Sequence, residues 1–123
     1  MPNYTATTLS AATSGQLIKI TATATPGTTI HTATTFDAPE GVDEVYLWAG
    51  STSASNVNLT LQVTGQGLED RSINMQIPPA YSGPLPVLAG HRVCDGVVVT
   101  ATASVADRIV VWGHVNRISG QGT

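Results

Sequence analysis

Apolar and polar residues alternate with a period of two through most of this chain. In residues 57–64 Val57, Leu59, Leu61 and Val63 share one parity, and Asn58, Thr60, Gln62 and Thr64 the other. In 97–105 Val97, Val99, Ala101, Ala103 and Val105 alternate with Val98, Thr100, Thr102 and Ser104. In 16–25 Ile18, Ile20, Ala22 and Ala24 alternate with Lys19, Thr21, Thr23 and Thr25. Alternation of this kind puts one face of a strand on a core and the other on water. The β-branched residues that fill these runs suit a pleated surface and lose rotamer freedom in a helix. Turn signals separate the runs: Pro26-Gly27, Pro39-Glu40-Gly41, Gly50-Ser51, Gly65-Gln66-Gly67, Pro78-Pro79, Ser82-Gly83-Pro84 and Asp95-Gly96. The pattern predicts strands over 4–11, 16–25, 28–36, 43–49, 57–64, 71–77, 85–89, 96–105 and 108–118, and no window carries an apolar stripe at helical spacing. Eight or nine short strands with frequent turns predict an all-β fold, an antiparallel β-sandwich, with the jelly roll as one arrangement of it.

Two runs are apolar on both parities. In 106–120 Ile109, Val111 and Val115 form one face, while Val110, Trp112, His114 and Asn116 form the other. In 42–50 Val45, Leu47 and Ala49 oppose Tyr46 and Trp48. Both tryptophans therefore lie on the parity opposite the aliphatic set. A buried Trp removes about 150–250 Å² from water, on the order of 4–6 kcal/mol gross. A monomer gains little by displaying such groups, so a cluster of them marks an interaction surface. Two intramolecular arrangements compete with that reading. The inward and outward faces of one strand could be exchanged, or the N-terminal strands or a proline-rich crossing could fold over the rings.

Parity also predicts a register for the last two strands. If Ala103 and Val105 share the core with Ile109 and Val111, the loop between them has an odd length. A three-residue loop, Ala106-Asp107-Arg108, pairs Val105 with Ile109 and Ala103 with Val111, and places Ala101 opposite Gly113. On the other face it sets Thr102 against Trp112, Thr100 against His114 and Val98 against Asn116.

The segment "IPPAYSGPLPV" carries Pro78, Pro79, Pro84 and Pro86. Proline donates nothing to a ladder, so this is an extended crossing or an edge strand. The Thr- and Ala-rich N-terminal third has two readings: ordinary strands, or an arm over residues 1–15 that orders only against a partner.

With 123 residues the chain is read as one domain, 1–123. Only 11% of residues are charged, against about 25% in an average domain. The five basic residues, Lys19, Arg71, Arg92, Arg108 and Arg117, are scattered and the net charge is −3, which argues against nucleic acid as a partner. Cys94 is the single cysteine, so no internal disulfide forms and a four-thiolate zinc site is excluded. The start lacks the pattern of a signal peptide, and no run is long enough for a membrane helix. Without an export signal, the glycosylation triplets at Asn3 and Asn58 are read as chance.

No motif names an enzymatic activity, and the chain is read as a non-enzyme without a cofactor. His91 and Cys94 fall on opposite strand parities, a poor basis for a nucleophile pair, and Cys94 is read as a buried, inert thiol near a turn. Asp37, Glu40, Asp43 and Glu44 gather acid in one stretch but lack the D-x-D-x-D-G spacing of a calcium loop, so a solvated acidic loop is expected there. His31, His91 and His114 show no metal-ligand spacing, and no metal site is assigned.

The stretches "VYLWAGSTSASNVNLTLQVTG" and "INMQIPPAYSGPLPVLAGHRVCDGVVVTATASVADRIVVWGHVNRIS" resemble small β-rich virion proteins of tailed bacteriophages. The shared pattern is one of strands and turns over roughly residues 30 to 119, not a catalytic signature; the N-terminal third does not align to it. The resemblance implies a capsid cement or decoration protein. Such a protein is made in the bacterial host cytoplasm and sits on the capsid exterior of the virion, commonly as a homotrimer. It binds the major capsid protein and stabilises the shell, with neither nucleic acid nor membrane as a partner. Relatives of this general shape also serve as neck, tail or head-fibre components with receptor- or carbohydrate-binding roles. The candidate interface residues are Tyr46, Trp48 and Trp112 as anchors, His114 on the same face, and Arg92, Arg108 and Arg117 as rim contacts; the receptor- or carbohydrate-binding reading uses the same aromatics as a sugar platform.

Overall fold

The computed structural model describes residues 3–24, 27–33, 41–64, 72–79, 85–94 and 96–119. Nine strands are present: β1 (Asn3–Thr7), β2 (Ile18–Ile20), β3 (Thr28–Thr32), β4 (Gly41–Ser51), β5 (Val57–Thr64), β6 (Ser72–Ile77), β7 (Leu85–Val93), β8 (Val98–Ala103) and β9 (Ile109–Ser119). Among the described residues there is no α-helix; a single 3-10 turn at Thr13–Gly15 joins β1 to β2. One sheet runs β1-β9-β4-β7, with β2 also on β9, and the other runs β3-β8-β5-β6; every pairing is antiparallel.

The pairing is nested. Taken as one interrupted strand, β1 and β2 pair with β9; then β3 pairs with β8, β4 with β7 and β5 with β6. Four nested antiparallel pairs rolled into two facing sheets make a jelly roll. The inward parity of each sheet supplies the core. Ile18, Ile20, Val45, Leu47, Ala49, Ile109, Val111 and Val115 come from the first sheet, and Ile30, Val57, Leu59, Leu61, Ile77, Val99, Ala101 and Ala103 from the second. The inward sets predicted for residues 45–49, 57–61, 99–103 and 109–115 are thus the buried ones. Val105, grouped with them by parity, is instead about half exposed, because the strand has already ended at Ala103.

The predicted hairpin between the last two strands is not formed, because β8 and β9 lie in different sheets. Ala103 pairs with Leu59 rather than Val111, Thr102 with Thr60 rather than Trp112, and Thr100 with Gln62 rather than His114. Ala101 and Val98 likewise pair within the second sheet, and Val105 precedes a connection that crosses between the sheets, not a hairpin. Parity alone cannot separate strands that are neighbours from strands that face each other across a core; both point alike side chains at the same interior. The connection from β8 to β9 is held by backbone bonds to other strands. Ala103 N–H donates to Ala22 C=O (3.0 Å), Ser104 N–H to Asn58 C=O (2.9 Å) and Asp107 N–H to Ile20 C=O (3.0 Å), and Asp107 takes the left-handed φ of 64°.

The N-terminal segment, for which strand and arm were both open, pairs β1 with β9 over Asn3–Thr7 and buries Leu9 in the core. Its strands are shorter than predicted: 4–11 becomes Asn3–Thr7, and 16–25 becomes Ile18–Ile20, since Thr21 and Ala22 turn to bond Thr28 Oγ1. Of the proline-rich segment, residues 80–84 lie outside the described residues, while Pro86 lies in β7, an edge strand of the five-stranded sheet, where proline was expected; β7 runs on to Val93, past the expected end at residue 89. Two register shifts, between Val45 and Tyr46 and between Leu47 and Trp48, interrupt its pairing with β4. Bulges and proline on an edge discourage pairing with another chain at that edge.

Candidate interaction surface

β4 and β9 are the two central strands of the five-stranded sheet and pair over eleven residues, from Gly41↔Ser119 to Ser51↔Ile109. Their outward parity puts Val42, Glu44, Tyr46, Trp48 and Gly50 opposite Ile118, Asn116, His114, Trp112 and Val110. Two aromatic cross-strand pairs result, Tyr46–His114 and Trp48–Trp112. The Tyr46 and His114 rings stack at 5.0 Å between centroids and 13° between planes, and Trp48 meets His114 diagonally at 6.0 Å and 28°. Offset stacking of this kind contributes about 0.5–1.5 kcal/mol per pair beyond area burial.

Gly90 lets the Tyr46 ring lie low, since a Cβ there would come 3.2 Å from the Tyr46 hydroxyl; at Gly50 a Cβ would meet Trp112 only at ordinary contact distance, 3.4 Å from Cζ3. Tyr46, Trp48 and Trp112 are half-buried and His114 is exposed. Both β1 and β7 extend the sheet sideways in its own plane, so among the described residues neither lies over this face. The part of each Trp still open to water, at most about a third, corresponds to no more than about 2 kcal/mol of unrealised gross burial.

The basic candidates occupy different settings. Arg92 lies opposite Glu44 and pairs with it at the patch margin, Nη2 to Oε2 2.8 Å, with its own side chain 63% exposed. An exposed pair of this kind contributes under about 1 kcal/mol; Arg92→Ala is expected to leave the urea midpoint nearly unchanged, and a large shift would show the pair to be more than a surface contact. Arg108 is exposed in the corner before β9, where its carbonyl accepts Thr52 N–H at 2.8 Å. Arg117, proposed as a rim contact, points the other way: Nε and Nη2 donate to Asp43 Oδ1 and Oδ2 at 2.8 and 3.1 Å.

Asp43 corrects a second expectation. It is fully buried rather than part of a solvated acidic loop; Asp37 and Glu40 lie outside the described residues. A register shift between Thr29 and His31 turns both Ile30 and His31 inward, and His31 Nε2 meets Asp43 Oδ2 at 2.8 Å. The backbone N–H of Ser10 donates to His31 Nδ1 at 3.0 Å, so Nδ1 is the bare nitrogen and Nε2 carries the proton given to Asp43. Burial works to raise the Asp43 pKa, but the hydrogen bonds from Arg117 and then His31, with the Arg117 charge, outweigh it and hold the carboxyl below its ordinary value. The same bond from Asp43 raises the Arg117 pKa.

This cluster ties β3 of one sheet to β4 and β9 of the other and to the segment after β1. It lacks the geometry of a general base, because the acceptor nitrogen of the ring is occupied by a backbone donor and the ring is 1% exposed. His91 is exposed, and Cys94 is half-buried beside a turn rather than fully buried as expected. Among the described residues no three His, Cys, Asp or Glu side chains gather as a metal site would need. Comparison with protein-family models, with curated proteins and with solved structures finds no match to this chain.

Proposed function

We propose that this protein is a phage virion structural protein of the capsid cement or decoration type. It seats the Tyr46–Trp48–His114–Trp112 face of its five-stranded sheet against neighbouring protein subunits and so stabilises the major capsid shell from outside. The observation that carries the reading is that aromatic face, built on the two central strands and left partly open to water. The strand-and-turn resemblance to small phage virion proteins names the partner as the major capsid protein, with self-association as a homotrimer. The jelly roll is a fold that viral capsid domains use among others, which adds analogy and no more. Many copies acting together let each contact be modest.

The test is binding of the purified protein to shells that lack it. Wild-type protein is expected to saturate such shells and to raise the temperature at which they rupture. Trp48→Ala with Trp112→Ala is expected to weaken binding by about 30-fold or more, the equivalent of about 2 kcal/mol for anchor residues, while the variant, though less stable, stays folded at the temperature of the binding assay. Equal binding by the double variant removes the aromatic face from the reading. Monomers that neither bind shells nor protect them would end it, and Trp-dependent glycan binding in their place would favour a fibre component.

A further inference from the structure

The opposite side of the sandwich has a different chemistry. The outward parity of β5, β6 and β8 carries Asn58, Thr60, Gln62, Asn74, Gln76, Thr100 and Thr102, with no charge among them. Asn58 pairs across strands with Gln76, and Thr60 with Asn74, next to the sheet edge formed by β6. There Asn58, Thr60, Asn74, Met75 and Gln76 line an open hollow of about 450 Å³.

We infer that this hollow is a binding site for a neutral saccharide. The lining decides the class. Among the described residues no cationic side chain lines it to hold a phosphate or carboxylate, and no carboxylate to hold a metal ion. Four of the five lining residues are polar, which excludes a purely apolar ligand. Carboxamides and hydroxyls each combine donors with acceptors, as the adjacent hydroxyls of a sugar do. The groups are also fixed in place. Thr60 Oγ1 donates to Asn74 Oδ1 at 2.7 Å, so what Asn74 can offer a ligand is its amide N–H donors. The Asn58 backbone is held on both sides by Ser104, through Ser104 N–H to Asn58 C=O at 2.9 Å and Asn58 N–H to Ser104 Oγ at 3.0 Å. The Asn58, Asn74 and Gln76 side chains are exposed, while Met75, opposite Leu59 on the core-facing parity, packs against the core. Paired strands set neighbouring side chains roughly 5 Å apart across and about 7 Å apart along the sheet, a rigid lattice that costs little further ordering on binding. The sheets of a sandwich lie about 10 Å apart, so a ligand here and a partner on the aromatic face do not compete. The inference does not depend on what that face docks to.

The test is an amide-resolved NMR titration of the full chain with methyl glycosides of glucose, galactose, mannose and N-acetylglucosamine, and with their short oligomers. At least one probe is expected to give saturable shifts, at millimolar concentrations, centred on the backbone and side-chain amides of Asn58, Asn74 and Gln76. Asn58→Ala with Gln76→Ala, both exposed and expected to fold normally, should weaken that binding at least tenfold, whereas Trp48→Ala should leave it unchanged. Gln76→Glu provides a second variant that keeps the size of the side chain and should also weaken binding. Inorganic phosphate should produce no shifts at these amides. Absence of saturable shifts with every saccharide, shifts centred on Trp48 or Trp112, affinity unaltered in the folded variants, or phosphate binding at the same amides would each overturn the assignment.

Discussion

Replacing Asp43 by alanine is expected to cost about 3–5 kcal/mol, a large part of the 5–15 kcal/mol that holds a typical domain together. The residue is fully buried and bonds both His31 and Arg117. Its removal strands the Nε2–H of a ring that is itself buried and frees Arg117 from its carboxylate. It also loosens the link between β3 of one sheet and β4 of the other. Urea unfolding of the variant measures the effect; a midpoint close to wild type would show that the cluster is an ornament of the interior and not a clamp.

The same residue sets an acid limit. The folded state holds the Asp43 carboxyl below its ordinary pKa of about 3.9, so the unfolded chain takes up the proton first as pH falls. The stability this contributes is fully present above the ordinary value and is lost as pH drops through the lower folded value. Asp43→Asn keeps an acceptor for the His31 N–H but has no charge to titrate. Its unfolding free energy is therefore expected to start lower at neutral pH and to fall less steeply than wild type below about pH 4. Parallel curves for the two proteins over that range would place the acid sensitivity elsewhere.

This clamp was within reach of the sequence on one count and hidden on another. Asp43 has the parity of Val45, Leu47 and Ala49, and Arg117 that of Val115 and Val111, so opposite charges stand on the core parity of two strands. Extending the alternation two residues beyond the apolar set points both inward. That β4 and β9 are neighbours, and that His31 completes the group, follows from pairing and from a register shift at Thr29–His31, neither of which period two encodes. The aromatic face was legible because it needs only the parity of Tyr46, Trp48, Trp112 and His114. Their meeting as cross-strand pairs again comes from the β4–β9 ladder, where the sequence had suggested β8 as the neighbour of β9. In a jelly roll the strand that follows in sequence often crosses to the other sheet, so local parity records which side faces the core and loses who stands beside whom. The uncharged outer face of the second sheet was equally visible as the Asn, Thr and Gln parity of 57–64, but its hollow depends on β6 closing beside β5.

The ladder that brings the rings together tolerates no side chain at Gly113. This glycine lies opposite Leu47 on the core-facing parity, between Trp112 and His114. A Cβ built there falls onto the Tyr46 carbonyl oxygen and within 3.1 Å of the Leu47 Cα. The atoms in the way belong to the backbone of β4, so no rotamer change relieves the clash; the two central strands must part. Overpacking of a core costs about 1–3 kcal/mol and more when backbone has to move, so Gly113→Ala is expected at or above the upper end of that range. Separation of β4 from β9 also pulls Tyr46 from His114 and Trp48 from Trp112, so tryptophan fluorescence and near-ultraviolet dichroism should change together with the loss of stability. Gly50→Ala is the matched comparison on the same pair of strands. Its new methyl meets only the rim of the Trp112 ring at 3.4–3.5 Å, ordinary contact distance, and its effect should be small. If Gly113→Ala unfolds like Gly50→Ala and leaves the tryptophan signals intact, the close approach of these strands is not what builds the aromatic face, and the docking surface proposed on it loses its structural basis.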